Sequence, residues 1–392
     1  MKKTACEAAK IVLLSTLLIS ALAGCWDKVE IEQRAFVISL GIDKAKEDDG
    51  AVTVEGTNQD KRRFSVALAM PNLDAMDGKD GGDKDASKWI KTSSNETFTS
   101  AIRLTDTFSS KKLYFGHTKV SVLGSEILGD EQLFRETIDA LERNQEISRK
   151  LIVLASQKDA KGILDAKVNG EPTVGAFVSN FYQNNANTVA LTFRLDLEEL
   201  IRRLRTSGDV VIPKVQEKDK ELELCGAAVM KNFKLAGWLT ALETRGYLWL
   251  RGDAEGAQLV TTLGDAHVPL RVNKSKGSLF FWEENGQLHC QLNAKLEGAA
   301  EEYIFSSEDL DENDKLARLT QQYQDAVAQE MLNTANIFQK QYKVDGFGLK
   351  EHLRKHNYAL FQKVQNNWDE AYANMIITAQ ASVRITSTGS IK

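Results

Sequence analysis

Ser278 to Leu296 reads SLFFWEENGQLHCQLNAKL, and its pattern decides what kind of sheet this chain builds. Leu288, Cys290, Leu292, Ala294 and Leu296 fall on every second position. Successive side chains of a strand point to opposite faces, so the alternation describes a strand with one buried face, and Cys290 lies on it. Asn285-Gly286 supplies the positive φ angles of a two-residue hairpin turn. Residues 278–282 and 287–296 are therefore expected to pair antiparallel, with 267–273 as a further strand of the same meander. Downstream, Leu316, Leu319, Tyr323, Val327, Met331, Ala335, Phe338 and Tyr342 recur at helical spacing. They predict one long helix over 309–342, packed across the meander. The same stripe would also suit a partner groove. A shorter helix around Trp368 and an alternating strand over 375–386 close the chain.

Upstream, 222–230 and 235–239 read as strands around the turn Lys231-Asn232, followed by a helix over 239–250. Residues 206–220, TSGDVVIPKVQEKDK, gather Gly, Pro and charge and read as a linker. Asp196 and Glu199 open a helix through Leu197, Leu200, Ile201 and Leu204. Its last turn holds Arg202, Arg203 and Arg205, which suit the negative helix end or an acidic partner. Residues 151–155 form an apolar run of strand length, and Asp130 caps a helix carrying Leu133, Phe134, Ile138 and Leu141. Residues 111–123 read as a turn and a strand. Ser93 and Glu96 form a capping box before Phe98, Ala101, Ile102, Thr105 and Phe108. Residues 36–42 and 64–70 alternate as strands, joined through a polar turn at Asp49-Gly50. Irregular alternation of strands and helices, with hairpins, indicates an α+β protein of several domains with mixed or antiparallel sheets. The expected limits are 25–127, 128–215 and 216–392.

The chain starts with an export signal. Lys2, Lys3 and Lys10 precede the apolar run of residues 11–23, which ends in Leu22-Ala23-Gly24-Cys25. The run is too short to span a bilayer, which takes about 20 residues. A charged start, a short apolar run and small exit residues describe a secretory signal. The Cys after Ala-Gly fits a lipobox, in which a peptidase removes 1–24 and the Cys25 thiol takes a diacylglyceryl group. An ordinary signal with a chance Cys is the plainer alternative. Removing 1–24, with Lys2, Lys3, Lys10 and Glu7, leaves 47 basic and 54 acidic residues, net −7. That balance argues against nucleic acid and against broad attraction to anionic lipid, so an anchor would have to hold the body at a membrane.

Little catalytic chemistry is signalled. Cys225 and Cys290 are the cysteines left besides Cys6 and Cys25, either bridged or as two buried free thiols. His352 and His356 stand one helical turn apart, but Arg354 and Lys355 between them suit a solvated basic face better than a metal. His117 has no paired Ser or Cys signature nearby. Asp74, Asp77, Asp80, Asp83 and Asp85 with Gly78, Gly81 and Gly82 lie in an expected loop, 71–92, without EF-hand spacing or its bidentate Glu. No GxSxG, GxGxxG or GxxxxGK[ST] occurs. No catalytic residue, metal or cofactor is expected.

Several stretches, in order along nearly the whole chain, resemble the Ger(x)C family of spore germination lipoproteins, the C subunits of nutrient germinant receptors. They are Gly24-Cys25-Trp26-Asp27 with Glu30-Ile31, Ala35-Phe36-Val37 and Leu40-Gly41-Ile42-Asp43; Leu113-Tyr114-Phe115-Gly116-His117-Thr118-Lys119-Val120; Gly226-Ala227-Ala228-Val229 with Lys234-Leu235-Ala236-Gly237-Trp238-Leu239; and the stretch around Trp368. Phe361 and Tyr372 stand where the pattern has Trp and Phe. The resemblance implies a three-domain α+β body on the outer face of the membrane that becomes the spore inner membrane. It implies partnership with two integral membrane subunits, A and B, and gives a role to Cys25 alone, as the lipidation site. An accessory assembly subunit is the leading reading. A solute-binding lipoprotein that captures a nutrient directly is the alternative, and a surface hydrolase a third that lacks its motifs.

Overall fold

Three sheets organise the described residues. A computed structural model describes residues 31–47, 50–53, 61–72, 88–168, 170–184, 190–301 and 312–387. Cys25, residues 73–87 of the expected loop 71–92, Asp49 and Asp309 lie outside them, and 88–92 of that expected loop are strand. The first half runs β1 (Arg34–Phe36), β2 (Ser39–Lys44), β3 (Phe64–Pro71), β4 (Lys88–Asn95), α1 (Phe98–Asp106), β5 (Lys112–Tyr114), β6 (Val120–Leu123), α2 (Ser125–Gly129), α3 (Glu131–Arg143), β7 (Ile152–Ala155), α4 (Ala160–Asp165), α5 (Val174–Asn184) and α6 (Leu197–Ser207). The second half runs β8 (Val210–Lys218), β9 (Glu221–Lys231), β10 (Lys234–Leu239), α7 (Ala241–Arg251), β11 (Gln258–Leu263), β12 (Ala266–Glu284), β13 (Gln287–Ala300), α8 (Glu312–Asn336), α9 (Leu349–His356), α10 (Tyr358–Val364), α11 (Trp368–Asn374) and β14 (Ile376–Ser387).

The eight-stranded sheet has the order β10-β9-β8-β7-β6-β2-β3-β4. Its centre, β2-β6-β7-β8, is parallel, and both flanks are antiparallel. The architecture is mixed α+β, as the sequence indicates. Both faces of the sheet are covered. Phe64, Val66, Leu68 and Met70 of β3 join Phe98, Phe134 and Leu141 on one side. Ala67 and Ala69 join Ala160, Leu164, Val178 and Tyr182 on the other. Period-2 reading of 64–70 therefore finds one buried face where there are two. Small alanines on the second face leave room for α4 and α5.

Four further expectations need correction. Residues 36–42 are not one strand: β1 pairs with β5 and β2 with β3 and β6. The break at Val37-Ile38 buries Val37 and leaves Phe36 and Ile38 half-buried. Ser93 belongs to β4, and its hydroxyl donates to Ala101 O (2.5 Å). The N-cap of α1 is Thr97, whose Oγ1 accepts from Ser100 N. The run Ser-Ser-Asn-Glu-Thr offers several caps, and strand pairing as far as Phe64↔Asn95 decides among them. The linker 206–220 is mostly strand β8: Val210, Val211 and Ile212 are buried β-branched residues. Pro213 sits at a break in the β8–β9 register, where a missing ladder N–H does least harm. The two strands expected at 267–273 and 278–282 are one strand, β12, with a register shift between Val272 and Lys274. That shift keeps the core side inward through a polar stretch that reads as a gap.

The expected domain limits fall inside α2 and β8, and β9 and β10 complete a sheet begun by β2. The four-stranded sheet β11-β12-β13-β14 is built as the opening pattern indicates, with Asn285 and Gly286 both at positive φ. The final strand lies parallel to β13, reached through helices α8 to α11. Leu319, Tyr323, Val327, Met331, Ala335 and Phe338 of the long helix are buried, so the stripe is core. Tyr323 donates to Val268 O (2.7 Å) and fastens helix to sheet. Gly277 allows β12 to pass α7 closely: a Cβ there would lie 1.6 Å from Leu250 O.

Candidate functional site: the seams between the sheets

The short motifs that carry the family resemblance fold into seams. In Leu40-Gly41-Ile42-Asp43, the two apolar residues are core. Gly41 lets α4 approach, since a Cβ would sit 3.3 Å from Ala160 C. Asp43 accepts from Ala160 N (2.7 Å) and Lys161 N (2.9 Å), at the start of that helix. Gly124 faces the same carboxylate, with space for no side chain. Burial pushes the Asp43 carboxyl up to about 6, although the two amides favour its charge.

In Lys234 to Leu239, Gly237 makes room for the ring of Tyr342. The Tyr342 hydroxyl accepts from Trp238 N (3.2 Å) and donates to Trp238 O (2.9 Å). It thus satisfies the free side of edge strand β10 and ties it to the π-helical extension of α8, Ile337–Tyr342. Just beyond, Asp345 accepts from Leu349 N (2.7 Å) and Lys350 N (2.8 Å), and burial holds it at about 6. Gln339 in the same segment is buried and donates to Tyr372 O and Met375 O. Tyr372 and Phe361 are core, and the Tyr372 hydroxyl donates to Val344 O (2.8 Å).

The arginine cluster divides its work. Arg203 donates to Glu199 and to the buried Tyr247 hydroxyl (3.1 Å). Arg205 pairs with Glu142. Arg202 is exposed and lies 3.7 Å from Glu199. So Arg203 reaches into the packed interior and Arg205 makes an exposed ion pair, uses that sequence spacing did not signal. Between α6 and α9 a cleft of about 510 Å³ opens, lined by Arg202, Asp209, Asp345, Lys350, Glu351 and Arg354 among others.

Cys225 and Cys290 are buried free thiols, and burial pushes the Cys290 thiol well up. The rings of His352 and His356 lie 4.3 Å apart between centroids. Burial, then His356 and Lys355, hold the His352 imidazole below its ordinary value. Among the described residues no group of three or more His, Cys, Asp or Glu is placed to hold a metal ion. His117 packs on Phe36 (5.4 Å) and Tyr114 (5.5 Å). Among the described residues no helix is long and apolar enough to cross a membrane.

Comparison with known proteins agrees with this architecture. A solved structure, the crystal structure of the GerBC protein, has a TM-score of 0.58 at 18% identity and covers 89% of this chain and 98% of its own; it shows the fold. Spore germination protein YndF of Bacillus subtilis (strain 168) is 25% identical, over 97% of this chain and 97% of its own. Spore germination protein B3 of the same organism is 22% identical over 95% and 96%. Spore germination protein A3 is 23% identical over 96% and 96%. The family profile described as "Spore germination protein N-terminal domain" matches residues 27–217. "Spore germination B3/ GerAC like, C-terminal" matches 225–389. The chain belongs to the GerAC-like family of spore germination proteins, the Ger(x)C family that its seam motifs resemble.

Proposed function

We propose that this protein is a lipid-anchored accessory subunit of a spore nutrient germinant receptor, acting by assembly with two integral membrane subunits, A and B. The observation that carries the reading is positional. The family match begins at residue 27, two residues after Cys25, which supports reading that cysteine as the join between a short apolar leader and the body. Cys25 then takes the lipid, and the body lies on the outer face of the membrane that becomes the spore inner membrane. At a membrane surface, tethering raises the effective concentration of a second membrane component, so a modest interface suffices. The chemistry is binding, with no catalytic residue assigned. The division into 25–127, 128–215 and 216–392 belongs to the same proposal.

Cys25→Ala tests the anchor: uncleaved precursor or a released body is expected, and an intact, unmodified wild-type chain in membranes refutes it. Co-purification of the wild-type chain with both membrane subunits tests the assembly. Loss of the gene product should abolish germination to one receptor's nutrients while triggers that bypass receptors still work.

The cleft between α6 and α9 favours a second reading, direct capture of a small nutrient. Arg202, Lys350 and Arg354 line it together with Asp209 and Glu351, a mixed lining suited to a zwitterion. Calorimetry of the protein against amino acids, sugars and nucleosides decides: saturable heat that Lys350→Glu abolishes supports capture, and flat titrations exclude it.

A further inference from the structure

The parallel ribbon of β1 and β5 has two unlike faces. Ala35 and Leu113 point into the core. Their neighbours Arg34, Phe36, Lys112 and Tyr114 point outward, paired as Arg34↔Lys112 and Phe36↔Tyr114. Arg34 lies over the Tyr114 ring at 4.7 Å. Phe36 meets Tyr114 edge-on at 5.6 Å, and the exposed His117 closes the cluster. Lys111 and Lys119 border it, and Lys112 and Lys119 are exposed. Among the described residues no ion pair engages Lys111, Lys112 or Lys119. In residues 31–38 and 111–119 the one carboxylate is Glu32. This basic, aromatic face belongs to a chain of net charge −5.

Its position gives it an occupant. Arg34 is nine residues after Cys25, a reach of at most about 32 Å when fully extended. Ile31, the first described residue, is 71% exposed. Aromatic rings with Lys and Arg are the composition of a surface resting at lipid headgroups. We propose that the outer face of the β1–β5 ribbon is a docking surface for anionic phospholipid headgroups, which orients the body once the anchor has brought it to the bilayer. This rests on the Cys25 anchor proposed above.

The test uses the full lipidated protein in vesicles of neutral phosphatidylcholine, or of phosphatidylcholine with phosphatidylglycerol. A fluorophore at Ser110→Cys, beside the ribbon, reports proximity to headgroup-quencher lipids, and one at Thr262→Cys on β11 is the distant control. Both vesicle types should float the protein. Quenching at position 110, but not 262, should be strong only with the anionic lipid and should vanish at 0.5 M salt. Each cation is worth about a five-fold change in surface association, so Lys112→Glu with Lys119→Glu should weaken it at least about 25-fold, with unchanged flotation and thermal melting. If that pair misfolds, Lys112→Gln alone should weaken it about five-fold. Equal quenching on neutral and anionic vesicles, or quenching that needs the membrane subunits, overturns the proposal. Failure to float on neutral vesicles would instead refute the anchor.

Discussion

The eight-stranded and four-stranded sheets solve burial differently, and the sequence records the difference. Strand β3, covered on both faces, is apolar or small at nearly every position, and residues 64–70 are all buried. Strand β13, covered on one face, alternates cleanly between buried and half-buried or exposed positions. The outer side of its sheet carries Phe280, 59% exposed and stacked on Trp282 at 5.7 Å, with Trp282 on His289 at 4.9 Å. A side chain's energetic worth therefore follows how much of its apolar surface is buried, which depends on whether the face that carries it is covered.

The sharpest way to break this comparison is to truncate one phenylalanine in each sheet. Phe64→Ala, fully buried, should cost about 3–5 kcal/mol in chemical denaturation. Phe280→Ala should stay within about 0.5 kcal/mol. Equal costs would mean that the outer face is covered after all. Next in size, Gly277→Ala places a methyl against Leu250 O and should cost roughly 1–3 kcal/mol or more, read from the same curves.

Two half-buried carboxylates sharpen the likeness between the halves. Asp43 and Asp345 each hold the start of a helix and are each pushed from 3.8 to about 6 by burial. A carboxyl with a raised folded pKa is protonated more readily folded than unfolded, so stability should fall as pH rises from about 3.8 to about 6 and then level. Asp345→Asn should remove roughly half of that slope in urea midpoints measured across the interval, leaving the part due to Asp43. Glu351 titrates in a lower window: Arg354 holds it at about 2, so its contribution is lost as pH falls from 4.5 toward 2. A local effect concerns the seam. Tyr342→Phe removes both hydrogen bonds to Trp238 and should cost about 1–2 kcal/mol, with faster amide exchange at Trp238.

Local pattern alone located the hairpin at Asn285-Gly286, the burial of Cys290, the helices capped by Asp130 and Asp196, and the apolar stripe of the long helix. Each depends on residues within a few positions of one another, where pleat, helical pitch and side-chain capping act directly. The seam motifs were visible as words, but their work was not: Asp43 meets its partner amides 117 and 118 residues later, and Tyr342 meets Trp238 across 104. Asn285-Gly286 could bind a hairpin together because turn and strands are neighbours. Val210 to Lys218 had no such local sign, since Gly208, Pro213 and the charges spell a linker while β7 and β9 make the segment a strand. Arg203 likewise reads as a helix-end cation until Tyr247 is placed against it. Short-range periodicity and capping thus determined which segments form elements. Which faces are covered, and which polar groups are buried with partners, followed only from contacts between residues far apart in the chain, whose closeness no local pattern encodes.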